Sequence, residues 1–161
     1  MKIAVLSDTH IPARLQTLPG QVYEACADVD LIIHAGDIED TSVIDDLLRL
    51  APVKAVSGNM DGLEVSNRFP DTLNMELQDF TVSVAHGSGP YHNVRKRLRK
   101  KFQSINPDII IHGHTHIFHW KKEHSIWFLC PGAVSNSKGS RSMAVLTLEK
   151  EKLPQVEKIP F

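Results

Sequence analysis

Short apolar, β-branched runs recur along this chain, and each stops abruptly at a polar residue or a glycine. Continuous apolar runs of this length are typical of strands buried on both faces of a sheet. Five such runs lead directly into a residue that binds metal ions well. The five runs are Lys2–Ser7, Asp30–Ala35, Pro52–Ser57, Thr81–Ala85 and Asp108–Ile111.

Segments in which apolar residues recur with helical spacing lie between several of these runs. In the basic segment from Val94 to Phe102, apolar residues recur every four positions, which predicts an amphipathic helix. Two further helices are predicted from Pro19 to about Ala27 and from Thr41 to Leu50. The strand–helix–strand order implies parallel strands joined by right-handed crossovers.

The remaining segments predict antiparallel pairs and loops. Residues 63–71 show no clear period and are expected to be irregular, and residues 135–141 are expected to form a flexible polar loop. Because no linker or repeat interrupts the pattern, we expect a single domain over residues 1–161 with an α/β fold. The other predicted strands are Asn74–Leu77, paired with Thr81–Ala85; Phe118–Trp120, paired with Ile126–Leu129; Met143–Leu148; and Gln155–Ile159.

Composition removes several classes of function. The 161 residues carry a formal net charge of −1, so the overall charge does not favour binding to nucleic acid or to anionic lipid. No apolar run approaches the roughly 18 residues that a membrane span requires. The two cysteines form no disulfide scaffold, and together with the lack of a leader pattern they indicate a cytoplasmic protein without membrane partners.

Seven candidate ligands follow the five strand ends. In open α/β sheets, ligands bind beyond the carboxyl ends of the strands, so these side chains are expected to converge on one crevice. Each motif alone has a simpler explanation, such as a helix-capping aspartate or a Gly-Asn turn, and His34 is expected to be a core histidine. The seven candidates are Asp8, His10, Asp37, Asn59, His86, His114 and His116.

The mixture of carboxylate, amide and imidazole donors suits divalent ions such as Mn, Fe, Zn or Ni. A bridging carboxylate can hold two ions roughly 4 Å apart, a spacing that suits displacement at phosphorus. The five motifs in this order, from Asp8-x-His10 to Gly113-His114-x-His116, resemble those of the calcineurin-like metallophosphoesterase superfamily. The short length is similar to its small prokaryotic, YfcE-type phosphodiesterase branch.

This resemblance implies a fold, a metal centre and a reaction. The fold would be a four-layer α/β/β/α sandwich of two mixed sheets flanked by helices. The reaction would be hydrolysis of P–O bonds by a hydroxide bridging two divalent ions, with Mn the first choice and Ni, Zn or Fe the alternatives. Asp8, His10 and His116 would hold one ion, Asn59, His86 and His114 the other, and Asp37 would bridge both.

Three positions depart from the family pattern. Met60 replaces the histidine that protonates the leaving group, so the acid would be Asp61, His112 or a substrate-bound water, and good leaving groups would be favoured. Ser88 ends a motif that is often His-Gly-His, and Cys130-Pro131-Gly132-Ala133 replaces Asn-Pro-Gly-Ser. The candidate catalytic residues are therefore Asn59, which would reach a phosphate oxygen, His86 and Asp61.

Partners and alternatives remain open from the sequence. The substrate would be a phosphoester small molecule or nucleotide, and the basic helix is either a solvated face or a patch for anionic substrate or RNA. Because small members of the branch often form homodimers or homotetramers, the resemblance implies one of these assemblies.

A protein-binding scaffold with the retromer-subunit fold is the alternative function, although the ligand positions here are intact. Because ligand histidines must be neutral, activity is expected to fall below about pH 6.

Overall fold

The computed structural model describes residues 1–135 and 141–161, and the described ranges contain ten strands and four helices. The strands are β1 (Lys2–Leu6), β2 (Leu31–His34), β3 (Val53–Ala55), β4 (Thr72–Leu77), β5 (Phe80–Ala85), β6 (Ile109–Ile111), β7 (His119–Glu123), β8 (Ile126–Cys130), β9 (Ser142–Thr147) and β10 (Gln155–Pro160). The helices are α1 (Gly20–Cys26), α2 (Ser42–Leu47), α3 (Leu63–Arg68) and α4 (Val94–Lys101), and a single 3₁₀ turn (Tyr91–Asn93) precedes α4.

Two five-stranded mixed sheets form the centre of the molecule. The first has the order β10-β9-β1-β2-β3, in which β1, β2 and β3 are parallel, as the crossover pattern predicted. The second has the order β4-β5-β6-β8-β7, in which β5, β6 and β8 are parallel. The parallel strands of each sheet therefore deliver their carboxyl ends to one edge.

The layers follow from which faces are apolar. Ile3 and Val5 of β1 pack with Val82 and Ile109 of the second sheet to form the core between the sheets. The opposite face of the first sheet is covered by α1 and α2, and α4 covers the outer face of the second sheet. The predicted four-layer α/β/β/α architecture is confirmed.

Residues 63–68 were expected to be irregular, and this prediction is wrong because they form α3. Gly62 is extended before the first turn, and its carbonyl accepts a hydrogen bond from Ser66 N–H at 3.0 Å. The helix has only six residues, and Val65 is the one that is buried. A helix this short with one inward side chain leaves no apolar period in the sequence.

The structure differs from the sequence prediction at the β4–β5 hairpin. The β4–β5 hairpin closes one residue earlier than expected, because Leu77 pairs with Phe80. The predicted flexible loop at residues 135–141 lies largely outside the described residues. Within residues 1–135 and 141–161, none of the helices is both long enough and apolar enough to span a membrane.

Candidate metal centre

The loops that leave β1, β2, β3, β5 and β6 meet where the carboxyl edges of the two sheets face each other. All seven predicted ligands lie on these loops, because each loop begins immediately after its strand. Asp8 N–H donates to Gly36 O at 3.0 Å, and Gly113 N–H donates to His86 O at 3.1 Å. These hydrogen bonds join neighbouring loops within each sheet and hold the edge together.

Five of the seven predicted ligands converge tightly. His86 Nε2 lies 3.1 Å from Asp37 Oδ2, and His116 Nε2 lies 3.0 Å from Asp8 Oδ1. His10 Nε2 lies between the two carboxylates, 3.6 Å from Asp37 Oδ2 and 3.9 Å from Asp8 Oδ1. The ligand atoms form two groups of three, each within 4.8 Å: Asp8, His10 and His116, and Asp8, Asp37 and His86.

Three of these atoms are buried without a hydrogen-bond partner among the described residues: Asp8 Oδ1, His10 Nε2 and His86 Nε2. Burying a polar atom without a partner costs roughly 1–3 kcal/mol, so three together in one small space require an explanation. A carboxylate oxygen and two imidazole nitrogens are the donor set that divalent transition metals prefer. The residues present therefore fit metal ions well.

Neighbouring groups orient the ligands from behind. His10 Nδ1 lies 2.6 Å from Glu39 Oε1, and His86 Nδ1 lies 2.7 Å from the carbonyl oxygen of Ala35. An acceptor at Nδ1 keeps the proton there and leaves the Nε2 lone pair free for a metal ion. Ser7 Oγ donates to Asp8 Oδ2 at 2.6 Å, which leaves Oδ1 free in the same way.

The electrostatics of the centre favour charged carboxylates. Burial alone would raise the pKa of Asp8, but the neighbouring His116 and His86 imidazoles outweigh it and hold the pKa below its ordinary value. The pKa of Asp37 is lowered in the same manner, against burial, by the neighbouring His86 imidazole. Burial opposes a charged His86, yet the neighbouring Asp37 and Asp8 carboxylates raise its pKa. Without metal, His86 therefore holds a proton more readily than a free imidazole does.

The backbone of the centre is strained. Positive φ angles occur at five of the predicted ligands, which are non-glycine residues and rarely adopt this conformation. Five other non-glycine residues among those described also have positive φ angles, and what distinguishes the centre is that five lie together. The five are Asp8 (56°), His10 (47°), Asp37 (56°), His114 (68°) and His116 (59°).

Two glycines allow the loops to approach each other. A Cβ on Gly58 would collide with the Asp37 carboxylate and with the Asp37 backbone nitrogen. A Cβ on Gly113 would lie 2.8 Å from Asp8 Oδ2 and 2.9 Å from His86 Nδ1. Glycine at these positions thus lets the ligand side chains come together.

Asn59 and His114, the remaining predicted ligands, lie beside the five as a pair, with Asn59 exposed and His114 half-buried. His114 Nδ1 is 3.0 Å from Asn59 Oδ1, and His114 Nε2 is 2.8 Å from Gly89 O. The ring centroid of His114 is 5.5 Å from that of His86. His114 is therefore adjacent to the centre, but both of its nitrogens face acceptor oxygens, and one of these contacts must open before it can bind a metal ion.

Asp61 does not face the centre as a free acid. Its Oδ1 accepts hydrogen bonds from the backbone N–H groups of Ile38 and Glu39, each at 2.6 Å. Its Oδ2 accepts from Gly58 N–H at 2.7 Å and Asp37 N–H at 3.1 Å. Since both oxygens serve as acceptors, this geometry favours a role in fastening the β2 and β3 loops.

The other two histidines discussed from the sequence are also buried. His34 lies 3.2 Å from Thr9 Oγ1 and accepts from Gly36 N–H, as expected for a core histidine, and burial lowers its pKa to about 3. His112 lines a separate cavity with Arg95 and His119. Burial lowers the pKa of His112 to about 4, so this side chain is neutral at pH 7 and carries no proton to donate from a cation.

Sequence reasoning missed Glu39 and Ser7, and it named Asp61 only as a candidate acid. Glu39 and Asp61 both act across loops, and Ser7 acts through a hydroxyl at the end of β1. The acidic residues at positions 39 and 61 do follow strand ends, which is a weak signal. Their partners belong to other loops or to the backbone, and neither is visible in a single sequence.

The comparisons of this sequence with a family model and with known proteins agree on one protein family. The chain matches the family model of the calcineurin-like phosphoesterase superfamily domain over residues 1–151. It is 36% identical over 157 residues to a protein of Methanothermobacter thermautotrophicus named "Probable metallophosphoesterase", with 95% of this chain and 89% of that protein covered.

Solved structures share the fold. A structure described as a novel archaeal phosphodiesterase has a TM-score of 0.78 at 24% identity, with 100% of both chains covered. A single-mutant Vps29 from Entamoeba histolytica has a TM-score of 0.81 at 21% identity, covering 100% of this chain and 99% of that one. At these identities the likeness shows the fold alone.

Proposed function

Since this chain belongs to the calcineurin-like phosphoesterase superfamily, we propose that it is a metal-dependent phosphodiesterase that hydrolyses P–O bonds. The family relationship supports a phosphoesterase hydrolase. The observation that supports metal dependence is a set of three buried ligand atoms beside Asp37, on Asp8, His10 and His86, that have no hydrogen-bond partner among the described residues. A divalent cation would satisfy all three atoms at once.

The ligand assignment is the one that the family resemblance implies, and each of the two groups of converging donor atoms, which share Asp8, supplies part of it. Asp8, His10 and His116 would hold one divalent ion, and Asp37 would be shared with a second ion held by His86, Asn59 and His114. Two such ions would polarise the phosphoryl oxygens and lower the pKa of a bound water to about 7. We take Mn as the first choice of metal, with Ni, Zn and Fe as alternatives.

The protein groups around the phosphate have separate tasks. Asn59 lies in the wall of the adjacent cavity, where its amide can donate to a phosphate oxygen. Met60 has no titratable group and is 56% exposed, so no acid occupies this position. With Asp61 and His112 engaged elsewhere, we assign no side-chain acid to the leaving group. The proposal therefore includes a preference for esters whose alcohols leave without protonation.

The experiment begins with protein stripped of metal by a chelator and reloaded with Mn. Wild-type protein should bind two ions per chain by elemental analysis and hydrolyse bis-p-nitrophenyl phosphate. Asp37→Asn should bind at most one ion and lose about a thousandfold in kcat, because the shared carboxylate is gone. Asp79→Asn, which alters an exposed turn of the β4–β5 hairpin, is the matched control and should behave as wild type.

Two results would count against the proposal. Absence of turnover on both diesters and monoesters by fully loaded protein would favour a scaffold that shares its fold with Vps29. Unchanged metal content and unchanged activity in Asp37→Asn would show that the centre does not lie where the ligand atoms converge.

A further inference from the structure

A cavity of about 280 Å³ opens directly beside the candidate metal centre. Its wall includes His86 and Asn59 from the centre, and Arg97 and Lys101 from α4. This volume is close to the lower end of the roughly 300–1,000 Å³ typical of small-molecule sites, and it suits one substituent of a small ester. Asp71 also lines the cavity and pairs with Lys101, so the cavity joins the metal centre to one ion pair and to Arg97.

The six cations of the α4 segment are not equivalent. Arg95 and Arg99 bind Glu123 of β7, with N–O distances of 2.7 Å and 3.2 Å, and do not line this cavity. Arg97 and Lys101 are four residues apart and so share one face of the helix, the face that meets the cavity. The fold therefore selects two of the basic residues and places them near the centre.

Arg97 keeps its positive charge available. Its Nη2 donates to the carbonyl oxygens of Ser88 and Pro90, the latter at 2.7 Å, and both acceptors are neutral. In the described part of the chain no carboxylate lies within 4.0 Å of Arg97, whereas Lys101 Nζ is 2.9 Å from Asp71 Oδ2. Arg97 Nε is buried and has no acceptor among the same residues, which leaves one charge-assisted donor unused.

We propose that Arg97 forms an anion subsite, with Lys101 held beside it by Asp71, and that the substrate is a small phosphodiester whose second substituent carries another anionic group, a carboxylate or a phosphate. The scissile phosphate lies at the metal centre, and the substituent extends into the cavity toward Arg97. This inference rests on the proposed phosphodiesterase activity and adds the class of substrate. Arg97 acts as a binding residue that sets specificity.

The test compares two p-nitrophenyl diesters that differ only in charge: the 3-carboxypropyl ester and its 3-carbamoylpropyl isostere. Wild-type protein should favour the carboxylate by about tenfold in kcat/KM, mainly through KM, and added salt should reduce the preference. Arg97→Gln should lose the preference. Lys100→Gln removes an exposed cation from the same helix without touching the cavity and should retain it.

A 2-phosphoethyl ester forms the second arm. A larger preference for this ester than for the carboxylate would identify a second phosphate as the natural group, and the reverse order would identify a carboxylate. Either order supports the subsite.

Binding is measured separately from turnover by calorimetry with methyl 3-carboxypropylphosphonate, which has no p-nitrophenyl leaving group, and with its carboxamide. The carboxylate should bind about tenfold more tightly to wild type and to Lys100→Gln, but not to Arg97→Gln. Because Arg97 also holds the Ser88–Pro90 loop, metal content and turnover of bis-p-nitrophenyl phosphate are measured for each variant.

The outcomes separate the two proposals. Equal kcat/KM and equal affinity for charged and neutral compounds, with normal hydrolysis of bis-p-nitrophenyl phosphate, would overturn the anion subsite and leave the phosphodiesterase intact. A loss of all diester turnover in the wild type would overturn both. Preference retained in Arg97→Gln would show that the anion binds elsewhere.

Discussion

The proposed metal ligands of this protein are positioned by residues outside the proposed ligand set. Glu39 fixes the ring of His10 from its Nδ1 side at 2.6 Å, and the carbonyl of Ala35 does the same for His86 at 2.7 Å. A charged acceptor behind an imidazole also makes the imidazole a stronger ligand. Glu39 should therefore influence metal affinity without contacting the ion.

Replacing Glu39 tests this positioning role. Glu39→Ala should weaken metal binding by about 10–100-fold, because His10 loses both its orientation and a neighbouring negative charge. Glu39→Gln keeps an acceptor oxygen and should lose much less. Competition with a metal-sensitive dye measures both constants, and an equal loss in the two variants would contradict the proposed orientation by hydrogen bonding.

Asp61→Asn distinguishes a structural residue from a general acid. The amide offers one acceptor oxygen where the carboxylate serves four backbone N–H groups, so we expect a loss of about 2 kcal/mol in the free energy of unfolding and weaker metal binding. Urea unfolding of metal-free protein measures the first quantity. Asp45→Asn, which alters an exposed ion pair with Arg68, should change stability by less than about 1 kcal/mol.

The opposite pattern would restore the acid role. If Asp61→Asn unfolds like wild type and binds metal normally, but hydrolyses esters with poor leaving groups far more slowly, Asp61 donates a proton after all.

In helix α4, folding separates the basic residues into those that are paired with carboxylates and those that are not. Its apolar residues Val94 and Leu98 face the second sheet, so the basic residues spread over the remaining surface. Arg95, Arg99 and Lys101 are already paired with carboxylates, which leaves little continuous positive surface for a polynucleotide. Local pairing thus favours a small anionic ligand over nucleic acid.

Leu98→Ala tests how much α4 depends on its buried face. The side chain is 3% exposed between α4 and the second sheet, so its removal should cost about 3 kcal/mol of unfolding free energy. Leu63→Ala is the matched control, because Leu63 is 82% exposed on α3 and should change stability by less than about 0.5 kcal/mol. Equal effects in urea denaturation would show that α4 contributes little packing energy.

The predictability of the elements depends on their internal period. The buried strands β1, β2 and β6 were visible as continuous apolar runs, and the helix α4 was visible because apolar residues recur in it every four positions. Helix α3 was not visible, since one buried residue in six defines no period. The ligands were predictable because they follow strand ends, whereas Glu39 and Asp61 depend on contacts between separate loops.

Across the whole molecule, the site exists because two sheets present their carboxyl edges to the same crevice. Five loops contribute the proposed ligands, which are distributed along the chain from position 8 to position 116. A bound cation would therefore link both sheets. Its removal should affect the stability of the entire fold.

Metal loading should stabilise the folded protein. A ligand present at about 100 times its Kd adds roughly 2.7 kcal/mol to the free energy of unfolding, and binding of a second ion would add more. Calorimetric or fluorescence melting should thus show a higher Tm with Mn than with a chelator. Asp37→Asn should show a smaller increase, and an identical Tm with and without Mn in the wild type would contradict metal binding by the native state.

Acid should destabilise the metal-free protein through His34. Its pKa is lowered to about 3 in the folded state, against about 6.5 when unfolded, so only the unfolded chain gains this proton as the pH falls from 7 to 5. The contribution is present above pH 6.5 and decreases by about 2 kcal/mol by pH 5. Urea unfolding in the presence of a chelator at both pH values measures it.

His34→Gln should remove that part of the pH dependence, whatever its effect on stability at pH 7. His92→Gln removes an exposed imidazole and should retain the wild-type dependence. The same dependence in His34→Gln and wild type would show that His34 does not remain neutral in the fold.

The left-handed backbone angles at the ligands have a wider consequence. Each of these angles costs roughly 1–2 kcal/mol of backbone strain energy that a glycine would not incur. Because five residues of this kind lie together, this strain energy is concentrated at the candidate site. A glycine in place of one of these residues would therefore relieve local backbone strain while removing a donor atom for a metal ion.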